Sequence, residues 1–134
     1  MAGYSPNPLH KKLGLKEGIK ACHLFAPDDY LTLLGERAPA VDWLEGMSKD
    51  MDFVHIFVKE QAVLSDFLLL AKEAIKPAGM IWISWPKKAS KVPTDMSEDA
   101  VRETCFPMGL VDVKVCAVDD IWSGLKLVIR KELR

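Results

Sequence analysis

Apolar and polar positions alternate along this chain in blocks that predict short buried strands separated by amphipathic helices. Ile19 to Ala26 is a brief apolar run ending at Pro27-Asp28-Asp29, which predicts a buried strand closed by a turn. Asp28 is placed to cap a short helix over Tyr30 to Leu34, stopped by Gly35. Asp52 to Val58 is apolar on both alternating faces, as a strand covered from both sides must be. In the segment after it, Leu64, Phe67, Leu68, Ala71 and Ile75 recur at helical spacing and make one stripe able to lie on a sheet. Lys76-Pro77-Ala78-Gly79 stops that helix, with Gly79 supplying a positive φ or a tight approach. Met80 to Trp85 is the next buried strand.

Asp95 or Ser97 can cap a further helix whose apolar face is Val101, Cys105 and Met108, and Gly109 ends it. Val111 to Val118 and Trp122 to Arg130 are separated by only a few residues around Asp119-Asp120. So short a connection requires an antiparallel hairpin, because parallel strands need a crossover. Ala40 to Leu44 predicts a weak edge strand. Residues 1–19 read as a polar lead-in with one helical turn near Pro8 to Leu13. The order of elements predicts a single-domain α/β protein over residues 1–134, with a mostly parallel, Rossmann-like sheet. Helices cover both faces, and the C-terminal hairpin adds antiparallel pairing.

Composition narrows the function classes. Hydrophobic residues make up 49% and charged residues 28% of the 134 positions, ordinary for a soluble globular domain. No apolar run is long enough to span a bilayer, and the polar start has no signal-peptide core, so a cytoplasmic protein is expected. The net charge of −1 gives no overall field for nucleic acid, which makes that partner class the least expected. Cys22, Cys105 and Cys116 are an odd count without Cys-x-x-Cys spacing, and buried free thiols are the simplest reading.

Chemistry is expected beyond the carboxyl ends of the strands, at residues 27–30, 59–60, 86–94 and 119–123. The richest of these loops is 86–94, where Lys87, Lys88 and Lys91 stand beside Ser90 and Thr94. Ammonium groups and hydroxyls together suit a phosphate or carboxylate, and a solvated lysine-rich surface loop is the alternative. Asp119 and Asp120 in the hairpin turn are either local hydrogen-bond acceptors or partners of those lysines. Trp85 and Trp122 bracket the same edge, as core closers or as a stacking surface. His23 and His55 fall on strands expected to be neighbours, and no third ligand accompanies them for a metal. P-loop, Gly-x-Ser-x-Gly and His-Glu-x-x-His patterns are absent.

Asp52 to Lys88, with Ile75-Lys76-Pro77-Ala78-Gly79 before a strand, resembles the fourth strand, helix and fifth strand of class I S-adenosylmethionine-dependent methyltransferases. The closing hairpin is similar to that family's last two strands, in which the final strand inserts antiparallel. The resemblance implies a glycine-rich cofactor turn after the first strand and an acidic residue ending the second. At those places stand Phe25-Ala26-Pro27-Asp28-Asp29, without glycine, and Glu45. Proline removes an N–H and the aspartates add bulk, so the resemblance implies a retained scaffold with a lost or altered cofactor site. If cofactor is held, Asp28 and Glu45 occupy the matching positions.

The whole chain is also similar to a small bacterial family without assigned activity, through PLHKKLGLKEG at residues 8–18, WPKKAS at 85–90 and GLVDVKVCAVDDIWSGLKLV at 109–128. That likeness implies that Trp85, Lys87, Lys88, Asp119, Trp122 and Ser123 form one shared feature. The expected function is a non-catalytic protein without cofactor that binds an anionic ligand or partner at the lysine loop, through Lys87, Lys88, Ser90, Lys91, Asp119, Trp122 and Ser123. Set against it are a methyltransferase with an atypical cofactor turn, and an adaptor or homodimer formed through a sheet edge.

Overall fold

The run Met51–Phe57 (β3) lies at the heart of the sheet because it is apolar on both faces, and all but Asp52 of it is buried. The computed structural model describes residues 7–134. Around β3 are β1 (Lys20–Leu24), β2 (Asp42–Trp43), β4 (Ile75–Pro86), β5 (Leu110–Ala117) and β6 (Trp122–Ile129), in the order β2-β1-β3-β4-β6-β5. β1 pairs parallel with β2 and β3, and β3 pairs parallel with β4. β6 is inserted antiparallel between β4 and β5, so the hairpin and the inserted last strand are as the sequence implies.

One face is covered by α3 (Gln61–Ala74) and α4 (Glu98–Cys105). Leu64, Leu68, Ala71, Val101 and Cys105 pack there on Val54, Ile56, Ile81, Ile83 and Leu125. Ser97 caps α4, its hydroxyl accepting from Ala100 N at 3.1 Å. Asp95 serves α3 instead, where its carboxylate accepts from Gln61 N at 2.8 Å. The opposite face is covered by α1 (Leu9–Leu13) and α2 (Tyr30–Leu33), with Leu9, Leu13, Leu15 and Tyr30 over Phe53, Phe57 and Trp82. Trp82 Nε1 donates to the Leu13 carbonyl at 3.0 Å and ties that layer to the central strands.

Three sequence expectations shift. The helical turn expected near Pro8 to Leu13 is present as α1, but Leu9, Leu13 and Leu15 of this lead-in are buried in the second core layer, while residues 1–6 lie outside the described part. Asp28 does not cap α2: Asp29 holds the cap position and neither side chain bonds there. Gly79 has no positive φ; a Cβ on it would sit 2.9 Å from the Met51 carbonyl oxygen, so close approach is what requires glycine. Met51 opposes Ile75 and Phe53 opposes Met80, so residues 76–79 form an irregular step between helix and ladder.

Candidate functional site

β1 leads into α2 and then to β2 on one side, whereas β3 leads into α3 and then to β4 on the other. The loops leaving these adjacent strands therefore diverge, and in open α/β sheets a ligand crevice forms at such a point. A cleft of about 540 Å³ lies there. Phe25 and Pro27 wall it after β1, Phe57 at the end of β3, Val63 and Phe67 on α3, and Trp122 at the start of β6, with Lys59 and Glu60 exposed beside it.

The turn after β1 is made without glycine because Phe25 itself takes φ +59°. An aromatic residue with left-handed backbone is uncommon and strained, a cost that persists only where the surroundings hold it. Phe25 is 59% exposed, and its ring meets Phe67 edge-on at 5.0 Å. Trp122 meets Phe57 edge-on at 5.1 Å. The lining is thus mostly aromatic and aliphatic, with charge confined to Lys59 and Glu60.

Behind that wall lies a closed polar network. Phe57 stacks on His55 with ring centroids 4.4 Å apart. His55 Nδ1 is 2.9 Å from the Tyr30 hydroxyl and Nε2 is 2.8 Å from Ser84 Oγ. All three side chains are buried. Burial pushes His55 down to about 3 and, together with the nearby Cys22 thiol, pushes the Tyr30 phenol well above its ordinary value. The register pairs His23 directly with His55, so the two are on one face as the strand order suggested. Both nitrogens of His55 are already occupied, so the pair is part of the packing. The polar residues inside the runs DFVHIFV and MIWISW were the sequence signal for this network.

The lysine loop is knitted to the hairpin. Lys87 Nζ donates to the Asp119 carbonyl at 2.7 Å, and Lys87 N donates to the Ile121 carbonyl at 2.8 Å. Asp119 Oδ1 accepts from Ile121 N and Trp122 N, both at 2.8 Å, so its carboxylate closes the turn and does not face Lys87. Ser90 Oγ donates to the Lys87 carbonyl at 2.6 Å and accepts from Val92 N at 3.2 Å. Ser123 pairs with Trp85 across the sheet, and Trp85 is buried against the α3–α4 side. Lys88 and Lys91 are exposed. Of the residues singled out in this loop and hairpin, only Trp122 lines the cleft. Asp28 and Glu45 are exposed, and neither is among the lining residues. Phe25, Phe57 and Phe67 were legible as apolar positions but not as members of one site. Cys22 and Cys105 are buried and Cys116 is half-buried, all three as free thiols.

No protein-family model and no curated protein matches the chain. Among solved structures it is similar to an S-adenosylmethionine-dependent methyltransferase from Aquifex aeolicus, with TM-score 0.63 and 19% identity over 94% of both chains. It is similar to fibrillarin from Aeropyrum pernix with natively bound S-adenosyl-L-methionine, with TM-score 0.59 and 14% identity over 94% of this chain and 70% of that one. It is also similar to magnesium protoporphyrin IX methyltransferase from Synechocystis PCC 6803 with bound SAH, with TM-score 0.57 and 9% identity over 85% and 75% of the chains. The fold is therefore the Rossmann-like fold of the S-adenosylmethionine-dependent methyltransferases. These neighbours also correct the expectation of a protein without cofactor, because the fibrillarin and the protoporphyrin enzyme carry SAM and SAH on this scaffold. That expectation leaned on the missing glycines, and the backbone of Phe25 makes the turn without them. Among the described residues, no helix is long and apolar enough to cross a membrane.

Proposed function

We propose that the chain binds S-adenosylmethionine in the cleft between the ends of β1 and β3 and uses it as a methyl donor. The observation that carries this reading is position: the cleft opens where the β1 and β3 crossovers diverge, on a fold shared with the methyltransferases. Its volume of about 540 Å³ suits a nucleoside-sized ligand. Rings from Phe25, Phe57, Phe67 and Trp122 offer apolar surface to a purine. Aromatic faces also attract a sulfonium cation, and Glu60 adds a carboxylate beside it. When bound, the cofactor supplies an electrophilic methyl group, and the part of these residues is to hold it and keep water out. Pro27 offers no N–H and Glu45 lies outside the lining, so the polar end of the ligand is held by other contacts than a glycine-rich turn provides.

Calorimetry of the full chain with S-adenosylmethionine and its demethylated product tests the reading. Saturable binding at one site is expected, weakened about tenfold in Phe67→Ala and in Trp122→Ala while circular dichroism stays native. No heat and no thermal shift at millimolar concentrations of either compound would overturn it.

A further inference from the structure

Lys114 and Lys126 stand directly opposite each other on β5 and β6. Such cross-strand neighbours have Cβ atoms about 4.5–5.5 Å apart, and like charges placed so destabilise a sheet. A third lysine joins them. Lys126 is half-buried, and its ammonium is held below the ordinary lysine value first by burial and then by the charges of Lys114 and Lys16. Lys114 Nζ also donates to the Lys12 carbonyl at 3.0 Å, which brings the end of α1 to the same place. Burial pushes the Cys116 thiol up, and the charges of Lys12 and Lys114 act on it in the opposite sense, so positive charge lies beside this part of the hairpin.

Among the described residues, none of Lys16, Lys114 and Lys126 forms an ion pair; the pairs in the structure join Asp52 to Lys76 and Arg102 to its neighbouring acids. The chain as a whole is slightly acidic, so composition does not force lysines together here. An arrangement that opposes the stability of the free protein is characteristic of a site whose counter-charge arrives with a ligand.

We propose that Lys16, Lys114 and Lys126 form a binding site for a phosphate-bearing ligand. Two ammonium groups on facing positions of a strand pair, with a third whose charge acts on one of them, suit a compact, multiply charged group, for which lysine is a common point-charge donor. The site is separate from the cleft. Trp122, Gly124 and Lys126 follow each other on one face of β6, and four residues of strand place Lys126 roughly 14 Å from the cleft wall. The inference is independent of the methyl-donor reading. The same phosphate chemistry is offered by a free polyphosphate and by a nucleic-acid backbone.

The test uses the full chain at low salt, with pyrophosphate and a single-stranded oligonucleotide as probes, in calorimetry and thermal melts. Pyrophosphate is expected to raise the melting temperature and to bind at least fivefold more weakly to Lys114→Gln or Lys126→Gln. Binding is expected to be lost in the triple variant with Lys16→Gln. Without ligand, Lys126→Gln is expected to melt at or above the wild-type temperature. Tighter binding of the oligonucleotide, lost in the same triple variant, would assign the phosphate to nucleic acid; binding of pyrophosphate alone would assign a free ligand. Binding of neither probe, or equal binding to the triple variant, would overturn the proposal. Titration of the Lys126 amine in the wild-type protein decides the matter without any variant: pyrophosphate is expected to raise its pKa, and an unchanged titration sinks the site.

Discussion

His55 and Ser84 meet across β3 and β4 with Nε2 and Oγ 2.8 Å apart, and neither side chain reaches solvent. With Tyr30 on Nδ1, the imidazole has a partner for each nitrogen and no counter-charge. Its folded pKa of about 3 lies below the ordinary 6.5 because burial penalises the cation. As pH falls below 6.5 the unfolded chain takes up a proton that the folded chain refuses until about 3. Stability is therefore unaffected by His55 above 6.5 and declines below it, approaching about 1.4 kcal/mol per pH unit. His23, also lowered by burial, acts in the same sense. Asp52 acts in a different window. Its carboxyl is lowered chiefly by the N–H of Lys20, so its contribution is lost only below the ordinary carboxylate value of 3.8. The urea midpoint is expected to be lower at pH 5 than at pH 7, and His55→Gln is expected to remove most of that difference. Equal midpoints for the wild-type protein at both pH values would contradict the buried neutral imidazole.

Gly79 tests how the chain re-enters the sheet. A Cβ there would meet the Met51 carbonyl and Ile75 Cβ, both at 2.9 Å, and the backbone cannot yield as a flexible side chain can. Gly79→Ala is expected to lose about 1–3 kcal/mol in chemical unfolding. Gly46 makes the control, since a Cβ there has nothing within 4 Å. Gly46→Ala is expected to stay within about 0.5 kcal/mol of wild type.

Asp119 separates a local hydrogen-bond acceptor from a charge partner of the lysines. Its carboxylate accepts two backbone N–H groups in the β5–β6 turn, a role that needs an oxygen and not a charge. Asp119→Ala is expected to cost about 1–2 kcal/mol, and Asp119→Asn to recover much of it. Thermal melts of the two variants suffice as the check. A loss in Asp119→Asn as large as that in Asp119→Ala would show that the charge, and not the acceptor oxygen, is what the turn needs.

The sheet was legible because burial on both faces leaves an unmistakable mark: β3 and β4 are apolar runs with nowhere to stand but the centre. The hairpin followed from the few residues between its strands. The layer built from α1 was not legible, since Leu9, Leu13 and Leu15 are scattered among His10, Lys11, Lys12 and Gly14. Their burial becomes visible only when Phe53 and Trp82 are brought beneath them. The cleft was legible in part: the loops at 27–30, 59–60 and 119–123 supply Pro27, Lys59, Glu60 and Trp122, whereas Phe25, Phe57, Val63 and Phe67 look like ordinary core in sequence. The lysine loop shows the converse: Lys87, Ser90 and Asp119 look chemical in sequence, yet their polar atoms serve the backbone of the loop and turn. Cross-strand register, which pairs Lys114 with Lys126, is not fixed by composition or periodicity at all.

Phe25 is where strain and ligand binding can be told apart. Its φ of +59° costs about 1–3 kcal/mol for a side chain of this size. Its edge-on contact with Phe67 returns about 0.5–1.5 kcal/mol. Phe25→Gly relieves the first and forfeits the second, with some added freedom in the unfolded chain, so stability is expected to move by no more than about 1 kcal/mol. Ligand affinity should respond differently, because the cleft loses one of its aromatic walls. If the cleft holds the adenosyl group, Phe25→Gly is expected to weaken S-adenosylmethionine binding about tenfold with the melting temperature nearly unchanged. Phe25→Asn, which tolerates the left-handed backbone but lacks the ring, should behave alike. Affinity preserved in both variants would show that the left-handed turn serves only the fold, and that the ligand lies elsewhere.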